Sequence, residues 1–133
     1  MIVLDASVVV ELLLGTPTGE EVARRLGSEA GTLHAPHLLD LEVAQVLRRY
    51  ERTGEIDTVR AGEAVQDLAD LDAFRYPHDV LLPRIWELRA NCTAYDACYV
   101  ALAESLAAPL WTTDARLAGT PGVDVAFEVL RAP

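Results

Sequence analysis

Four acidic residues of the sequence stand where predicted strands end or predicted helices begin. Asp5 closes the apolar run that starts at Ile2, and Asp114 follows a second short apolar run. Glu42 and Asp96 lie near the starts of two segments with helical periodicity. In a parallel α/β sheet, the carboxyl ends of the strands and the N-termini of the following helices share one edge. The sequence therefore predicts that four carboxylates meet in one pocket.

A pocket that holds four carboxylates favours the binding of a divalent cation. Like charges at close range repel one another unless something neutralises them. Mg²⁺ or Mn²⁺ suits oxygen ligands and keeps part of its water shell. Such an ion can bind a phosphate oxygen, activate a water molecule and stabilise charge on phosphorus. The residue types thus indicate metal-dependent attack of water on a phosphate ester.

Each acid also has an ordinary structural explanation when it is judged alone. Asp5 and Asp114 occupy helix-capping positions. Asp96 follows Thr93 by three residues, which is the spacing of a capping box. Glu42 could be a surface acid that the helix dipole favours. Only the shared placement of all four acids at one edge favours the functional interpretation.

Three polar neighbours could assist this chemistry. Ser7 and Thr113 bring hydroxyl groups next to two of the acids, where they could orient a water molecule or a phosphate. Both are also ordinary turn and cap residues, and the structural and functional interpretations carry equal weight. Arg116 lies two residues after Asp114 and could meet a phosphate.

The elements that must position these residues alternate along the chain. Predicted strands cover residues 2–5, 32–35, 74–76, 110–112 and 123–129, and predicted helices cover residues 7–14, 19–28, 36–52, 58–71, 78–89 and 93–108. This alternation predicts an α/β fold with a central, mostly parallel sheet flanked by helices. No linker, repeat or low-complexity segment interrupts it, so residues 1–133 are expected to form a single domain.

Capping and breaking residues set the expected boundaries of the helices. Gly15 and Pro17 stop the first helix, and Thr18 is expected to cap the second. Gly54 stops the third helix, and Asp57 is expected to cap the fourth.

The charge of the protein restricts how it could contact nucleic acid. The formal net charge is −10, and lysine is absent, so every basic residue is an arginine. A protein that grips long nucleic acid normally carries a basic stripe. Either nucleic acid is therefore not its ligand, or the contact is brief and aided by metal and a few arginines. Any mechanism that needs a lysine is excluded.

The sequence contains no recognisable signal for export or membrane insertion. Its apolar runs are far shorter than a membrane-spanning helix, and its start lacks the pattern of a signal peptide. We therefore expect a cytoplasmic protein without membrane contact. The two cysteines, Cys92 and Cys98, form no C-x-x-C pair, so they are expected to be reduced thiols.

Other catalytic patterns are absent from the sequence. No glycine-rich phosphate loop with its lysine is present. No G-x-S-x-G surrounds any serine, which argues against a serine hydrolase. The three histidines lack the spacing of a metalloprotease.

The sequence resembles PIN-domain proteins, and in particular the VapC toxins of bacterial toxin–antitoxin pairs. The resemblance spans nearly the whole chain and rests on four segments, IVLDAS, APHLLDLEVAQVLRR, TAYDACYVALAE and LWTTDARL. Each segment is modest alone, but their order, spacing and total length are specific. The resemblance implies a PIN-like three-layer fold and a magnesium-dependent endoribonuclease that cleaves tRNA, rRNA or mRNA.

The resemblance also implies roles for individual residues. Asp5, Asp96 and Asp114 would bind the metal, and Glu42 would complete the acidic catalytic pocket. Ser7 and Thr113 match positions with supporting polar roles.

The resemblance further implies partners. A homodimer is expected, together with a small VapB-type antitoxin whose tail fills the active-site groove. The other end of the antitoxin would bind operator DNA, so the toxin would contact DNA only through the antitoxin.

Two alternative functions remain open at this point. A degenerate PIN domain could act as a non-catalytic binding module. A haloacid-dehalogenase-like phosphatase also opens with a strand that ends in Asp. That chemistry requires a second acid two residues after the first, where this chain has Ser7, and it usually uses a lysine. The chain has no lysine.

Overall fold

A computed structural model of the protein describes all 133 residues, and its five strands form one parallel sheet. The strands are β1 (Ile2–Leu4), β2 (Leu33–Pro36), β3 (Ala73–Tyr76), β4 (Leu110–Thr112) and β5 (Phe127–Val129). Their order in the sheet is β3-β2-β1-β4-β5, and every neighbouring pair runs parallel. The predicted α/β fold is confirmed, and the last strand lies at an edge of the sheet as a parallel strand.

Seven α-helices connect and cover these strands. They are α1 (Ala6–Leu14), α2 (Pro17–Ser28), α3 (Leu38–Thr53), α4 (Thr58–Asp70), α5 (Leu82–Glu87), α6 (Ala94–Leu106) and α7 (Ala115–Ala118). A 3₁₀ turn, Asp79–Leu81, precedes α5. Helix α6 packs against β1, β2 and β4, whereas α1 packs against α2, α3, α4 and β4.

Both faces of the central sheet are covered, which gives the three-layer arrangement. Successive side chains of a strand point to opposite faces, yet Ile2, Val3 and Leu4 are each no more than 5% exposed. Each residue of β4 is buried as well. Strands buried on both faces are typical of parallel sheets between helix layers. Helix α6 is buried almost all round, since every residue in the run 97–103 lies in the interior.

Several boundaries differ from the sequence-based prediction. Helix α2 is capped by Thr16 rather than Thr18, because Pro17 is suited to the first position of a helix. Pro36 ends β2 instead of starting α3, and the final strand begins at Phe127. The single helix predicted over 78–89 is a 3₁₀ turn followed by the short α5.

Other predicted signals act as expected. Gly15 and Gly54 end α1 and α3 in the left-handed conformation, with φ of 63° and 78°. The side chain of Asp57 accepts a hydrogen bond from the backbone N–H of Arg60 and so caps α4. Both cysteines are free thiols. None of the helices combines the length and the apolar character needed to cross a bilayer.

A glycine permits the close approach of α1 and α2. A Cβ atom built at Gly19 would overlap the backbone carbonyl oxygen of Glu11. Gly19 itself is buried in this contact. This packing holds α1, which directly follows Asp5, against its neighbour.

Candidate active site

Two neighbouring strands of the sheet deliver the first pair of predicted acids to the same edge. Asp5 follows β1 and Asp114 lies two residues beyond β4. The strands pair in parallel, with Leu4 opposite Trp111, and the backbone N–H of Asp5 donates to the carbonyl of Trp111. The carboxyl ends of both strands therefore lie side by side. This is the arrangement that the sequence predicted for these two acids.

Two helix N-termini supply the other pair of acids. Glu42 lies in the second turn of α3, which follows β2, the other neighbour of β1. Asp96 lies in the first turn of α6, which Thr93 caps by accepting a hydrogen bond from the N–H of Asp96 at 3.1 Å. Asp96 and Glu42 are both half-buried. All four acids thus belong to the edge formed by strand ends and helix starts.

The charges of neighbouring carboxylates in this group act on one another, which is consistent with their placement at one edge of the sheet. Burial raises the pKa of Asp5, and the charge of Asp96 raises it further. Burial also raises the pKa of Glu42, with smaller contributions from Asp96 and Asp5. The pKa of Asp96 is raised by burial and then by Asp114. The ionised form of this cluster is therefore costly without a neutralising partner.

A hydrogen-bond network fixes the orientation of Asp5. Its Oδ1 accepts the hydroxyl of Ser7 at 2.5 Å and the backbone N–H of Val8 at 3.2 Å. Asp5 is only 6% exposed and also caps α1. The structural and the functional interpretations of this residue are therefore compatible, because the cap is what aims the carboxylate.

Ser7 also connects α1 to the end of β4. Its Oγ accepts the backbone N–H of Thr113 at 3.0 Å and lies 3.4 Å from the hydroxyl oxygen of Thr112. Thr112 is fully buried and accepts the N–H of Asp114 at 3.0 Å. Thr113 therefore joins the network through its backbone, while the hydroxyl in the network belongs to Thr112. Sequence reasoning did not select Thr112 as a site residue. Its position at the end of β4, directly before Thr113 and Asp114, was the available signal.

Arg116 contacts Asp114 and lines a cavity together with Asp96. Its backbone N–H donates to Oδ1 of Asp114 at 2.9 Å, and its guanidinium lies 3.5 Å from Oδ2. The side chain is 86% exposed. Most of the guanidinium is thus free to meet an anion beside Asp96 and Asp114.

Tyr99 is a site residue that sequence reasoning missed. Its buried hydroxyl donates to Oε1 of Glu42 at 2.6 Å, across 57 positions of the chain. Burial, followed by the nearby Glu42, raises the pKa of Tyr99, so the hydroxyl stays protonated and remains a donor. Its position three residues after Asp96, on the same face of α6, was the available signal.

The donor set suits a hard divalent cation that retains much of its water. All four side chains offer carboxylate oxygens, the ligands that Mg²⁺ and Mn²⁺ prefer. No three acidic, histidine or cysteine side chains lie close enough to form a complete protein cage for a metal. Mg²⁺ usually binds through one or two carboxylates and keeps several waters. The carboxylates at this edge of the sheet fit that mode of binding.

Comparison with known proteins agrees with this geometry. The family model described as PIN domain matches residues 2–123. Ribonuclease VapC1 of Mycobacterium tuberculosis is 44% identical over 130 residues, which cover 97% of each chain. The crystal structure of M. tuberculosis VapC20, a sarcin–ricin loop cleaving toxin, matches with a TM-score of 0.69 at 16% identity, covering 92% of this chain and 98% of that one.

A second solved structure has the same fold. VapBC2 from Rickettsia felis, bound to a DNA fragment from its promoter, matches with a TM-score of 0.70 at 13% identity, covering 98% of this chain and all of that one. Identities this low support the fold alone, whereas the match to VapC1 extends to the sequence. The chain belongs to the PIN-domain family and, within it, groups with the VapC ribonucleases.

Proposed function

We propose that this protein is the toxin of a type II toxin–antitoxin system and a magnesium-dependent endoribonuclease. The observation that carries the proposal is the convergence of Asp5, Glu42, Asp96 and Asp114 at one edge of the sheet, where their charges act on one another. The 44% identity to a named ribonuclease over 97% of both chains supports the same activity. PIN-family membership leaves no support for the phosphatase alternative.

In this proposal, Asp5, Asp96 and Asp114 would hold Mg²⁺, or Mn²⁺ in its place, partly through waters that the ion retains, with Glu42 completing the acidic pocket. When bound, the cation would lower the pKa of water and stabilise negative charge on the phosphodiester. Ser7 keeps Asp5 aimed into the pocket. These assignments follow the positions of the side chains at the edge of the sheet.

Glu42 and Arg116 have further roles in the proposed reaction. Tyr99 occupies Oε1 of Glu42, so Oε2 is the oxygen available to accept a proton from the attacking water. The raised pKa of Glu42 makes it a better base than an ordinary carboxylate. Arg116, largely exposed, would meet a phosphate oxygen of the substrate.

The proposed partners follow from the same family. RNA is the substrate, and a VapB-type antitoxin is the inhibitor; the matched structure of VapBC2 with promoter DNA supports such a partner. DNA would be contacted only through the antitoxin. A homodimer and a cytoplasmic location complete the proposal, since the RNA substrate lies in the cytoplasm.

Cleavage of RNA with and without EDTA tests the proposal. We expect the native protein to cut cellular RNA with Mg²⁺ and to lose this activity in EDTA. Asp5→Asn and Asp96→Asn should fold but not cut. Asp67→Asn is a matched control, because Asp67 is exposed and makes no hydrogen bond, and it should cut like the native protein. Undiminished cleavage in EDTA would refute the metal dependence, and no cleavage of any cellular RNA would favour the binding module.

A further inference from the structure

A groove beside the acidic pocket has the features of a binding site for a nucleic-acid strand. It has a volume of about 470 Å³ and runs between α3 and the start of α6. Glu42, Gln45 and Arg49 line it from α3, and Tyr95 lines it from α6. Because Glu42 belongs to both the acidic pocket and the groove, the two are continuous.

The arginines of α3 differ from most other arginines of the chain because they form no ion pair. Six of the eleven arginines form ion pairs, which leaves five without an acidic partner. Three of these five, Arg48, Arg49 and Arg52, lie on the second half of α3 and are exposed. In a protein with a net charge of −10, three unpaired arginines on the same half of one helix favour contact with an anion there. Of the three, Arg49 lines the groove, whereas Arg48 faces the separate cleft between α3 and α4.

An exposed aromatic ring faces the arginine across the groove. Tyr95 is 61% exposed, makes no hydrogen bond and stands next to Asp96 in the chain. Leu41, 73% exposed, lies on the same groove. Proteins that bind single-stranded nucleic acid combine aromatic rings that stack on bases with cationic groups that follow the backbone.

The spacing along α3 suits a strand that leaves the acidic pocket. Glu42 and Arg49 are seven residues apart, so they lie on one face of the helix at about 10.5 Å along its axis. That distance corresponds to about three stacked nucleotides. A strand with its scissile phosphate at the acids would therefore place a phosphate about three nucleotides away near Arg49.

We propose that this groove binds the RNA strand on one side of the scissile phosphate, with Tyr95 stacked on a base and Arg49 on a backbone phosphate. This inference rests on the proposed ribonuclease function and names the surface that positions its substrate. A protein segment such as the antitoxin tail is the competing occupant. The unpaired charge of Arg49 and the exposed ring beside Asp96 favour RNA.

The first test measures binding of a short, fluorescently labelled, mixed-sequence single-stranded RNA to the full-length protein in EDTA. Tyr95→Ala should weaken binding roughly 5- to 150-fold, because it removes one stacking interaction. Tyr95→Phe, which keeps the ring, should bind like the native protein. Arg49→Gln should weaken binding and lower the slope of log affinity against log salt by about one.

Arg48→Gln is the matched control for charge. It lies on the same helix and removes the same charge but does not line the groove. It should therefore leave RNA binding and cleavage close to native. Equal effects of Arg48→Gln and Arg49→Gln, or native binding by Tyr95→Ala, would overturn the proposal.

Cleavage assays separate this inference from the proposed function. If the native protein cuts RNA with Mg²⁺ and the groove variants cut equally well, the groove proposal fails while the ribonuclease stands. If the native protein binds RNA through Tyr95 and Arg49 but never cuts it, the groove proposal holds and the ribonuclease fails. Groove variants that bind and cut RNA normally but escape inhibition by a co-expressed antitoxin would assign the groove to the antitoxin and overturn the proposal.

Discussion

Replacing Tyr99 with phenylalanine removes a single buried hydroxyl that serves one carboxylate. The ring is 2% exposed and its environment is otherwise unchanged, while Glu42 loses its donor at 2.6 Å. A hydrogen bond to a charged group contributes about 1.5–3 kcal/mol. The bond stabilises the ionised carboxylate, so its loss should lower the ratio of ionised to protonated Glu42 roughly 10- to 150-fold at a given pH. The pKa of Glu42, already raised by burial, should rise further.

The assay is the pH dependence of RNA cleavage by the native protein and Tyr99→Phe. If ionised Glu42 is needed for cleavage, the acidic limb of the variant's profile should move to higher pH. The plateau at high pH should recover most of the native rate, because enough Glu42 is ionised there in both proteins. Tyr50→Phe on α3 is the control, since the hydroxyl of Tyr50 makes no hydrogen bond and its removal should leave the profile unchanged. Superimposable profiles for Tyr99→Phe and the native protein would refute the reasoning.

Two further predictions concern stability. Asp96→Asn should raise the thermal midpoint of the protein in EDTA at neutral pH, because burial and the neighbouring acid raise the pKa of Asp96 and so penalise its ionised form in the folded state. This gain should shrink as the pH falls toward the ordinary carboxylate range, where native Asp96 is protonated folded or unfolded; a lowered midpoint at neutral pH would contradict it. Gly19→Ala should cost about 3 kcal/mol in urea unfolding, because the new Cβ meets the carbonyl oxygen of Glu11. Gly27→Ala, on the same helix with open space around it, should instead stabilise the protein by about 0.5–1 kcal/mol, and similar effects of the two substitutions would argue against the close contact.

Features decided by neighbouring residues could be predicted from the sequence. Thr93 caps α6, and Asp57 caps α4, because a cap needs only a side-chain oxygen two or three residues before a free N–H. Glycines at the ends of α1 and α3 act locally as well. Thr16, rather than the predicted Thr18, caps α2 because Pro17 fits the first helical position. This effect is also local and could have been predicted from the sequence.

The placement of the acids at one edge followed from a general property of parallel sheets. Asp5 and Asp114 end strands, and Glu42 and Asp96 begin helices, so alternation of strands and helices was enough to group them. The order of the strands in the sheet could not be predicted in this way. That β4 pairs with β1, and so brings Asp114 beside Asp5, depends on contacts between segments more than 100 residues apart.

The sequence by itself determined the fold class, the capped helices and the set of acids at one edge of the sheet, because hydrophobic periodicity and capping act over a few residues. Only the tertiary structure decided which polar groups support those acids. Tyr99 reaches Glu42 and Thr112 meets Ser7 through packing between distant elements. Such contacts depend on how α1, α3 and α6 pack against the sheet. That packing is determined by the whole buried core rather than by any local sequence pattern.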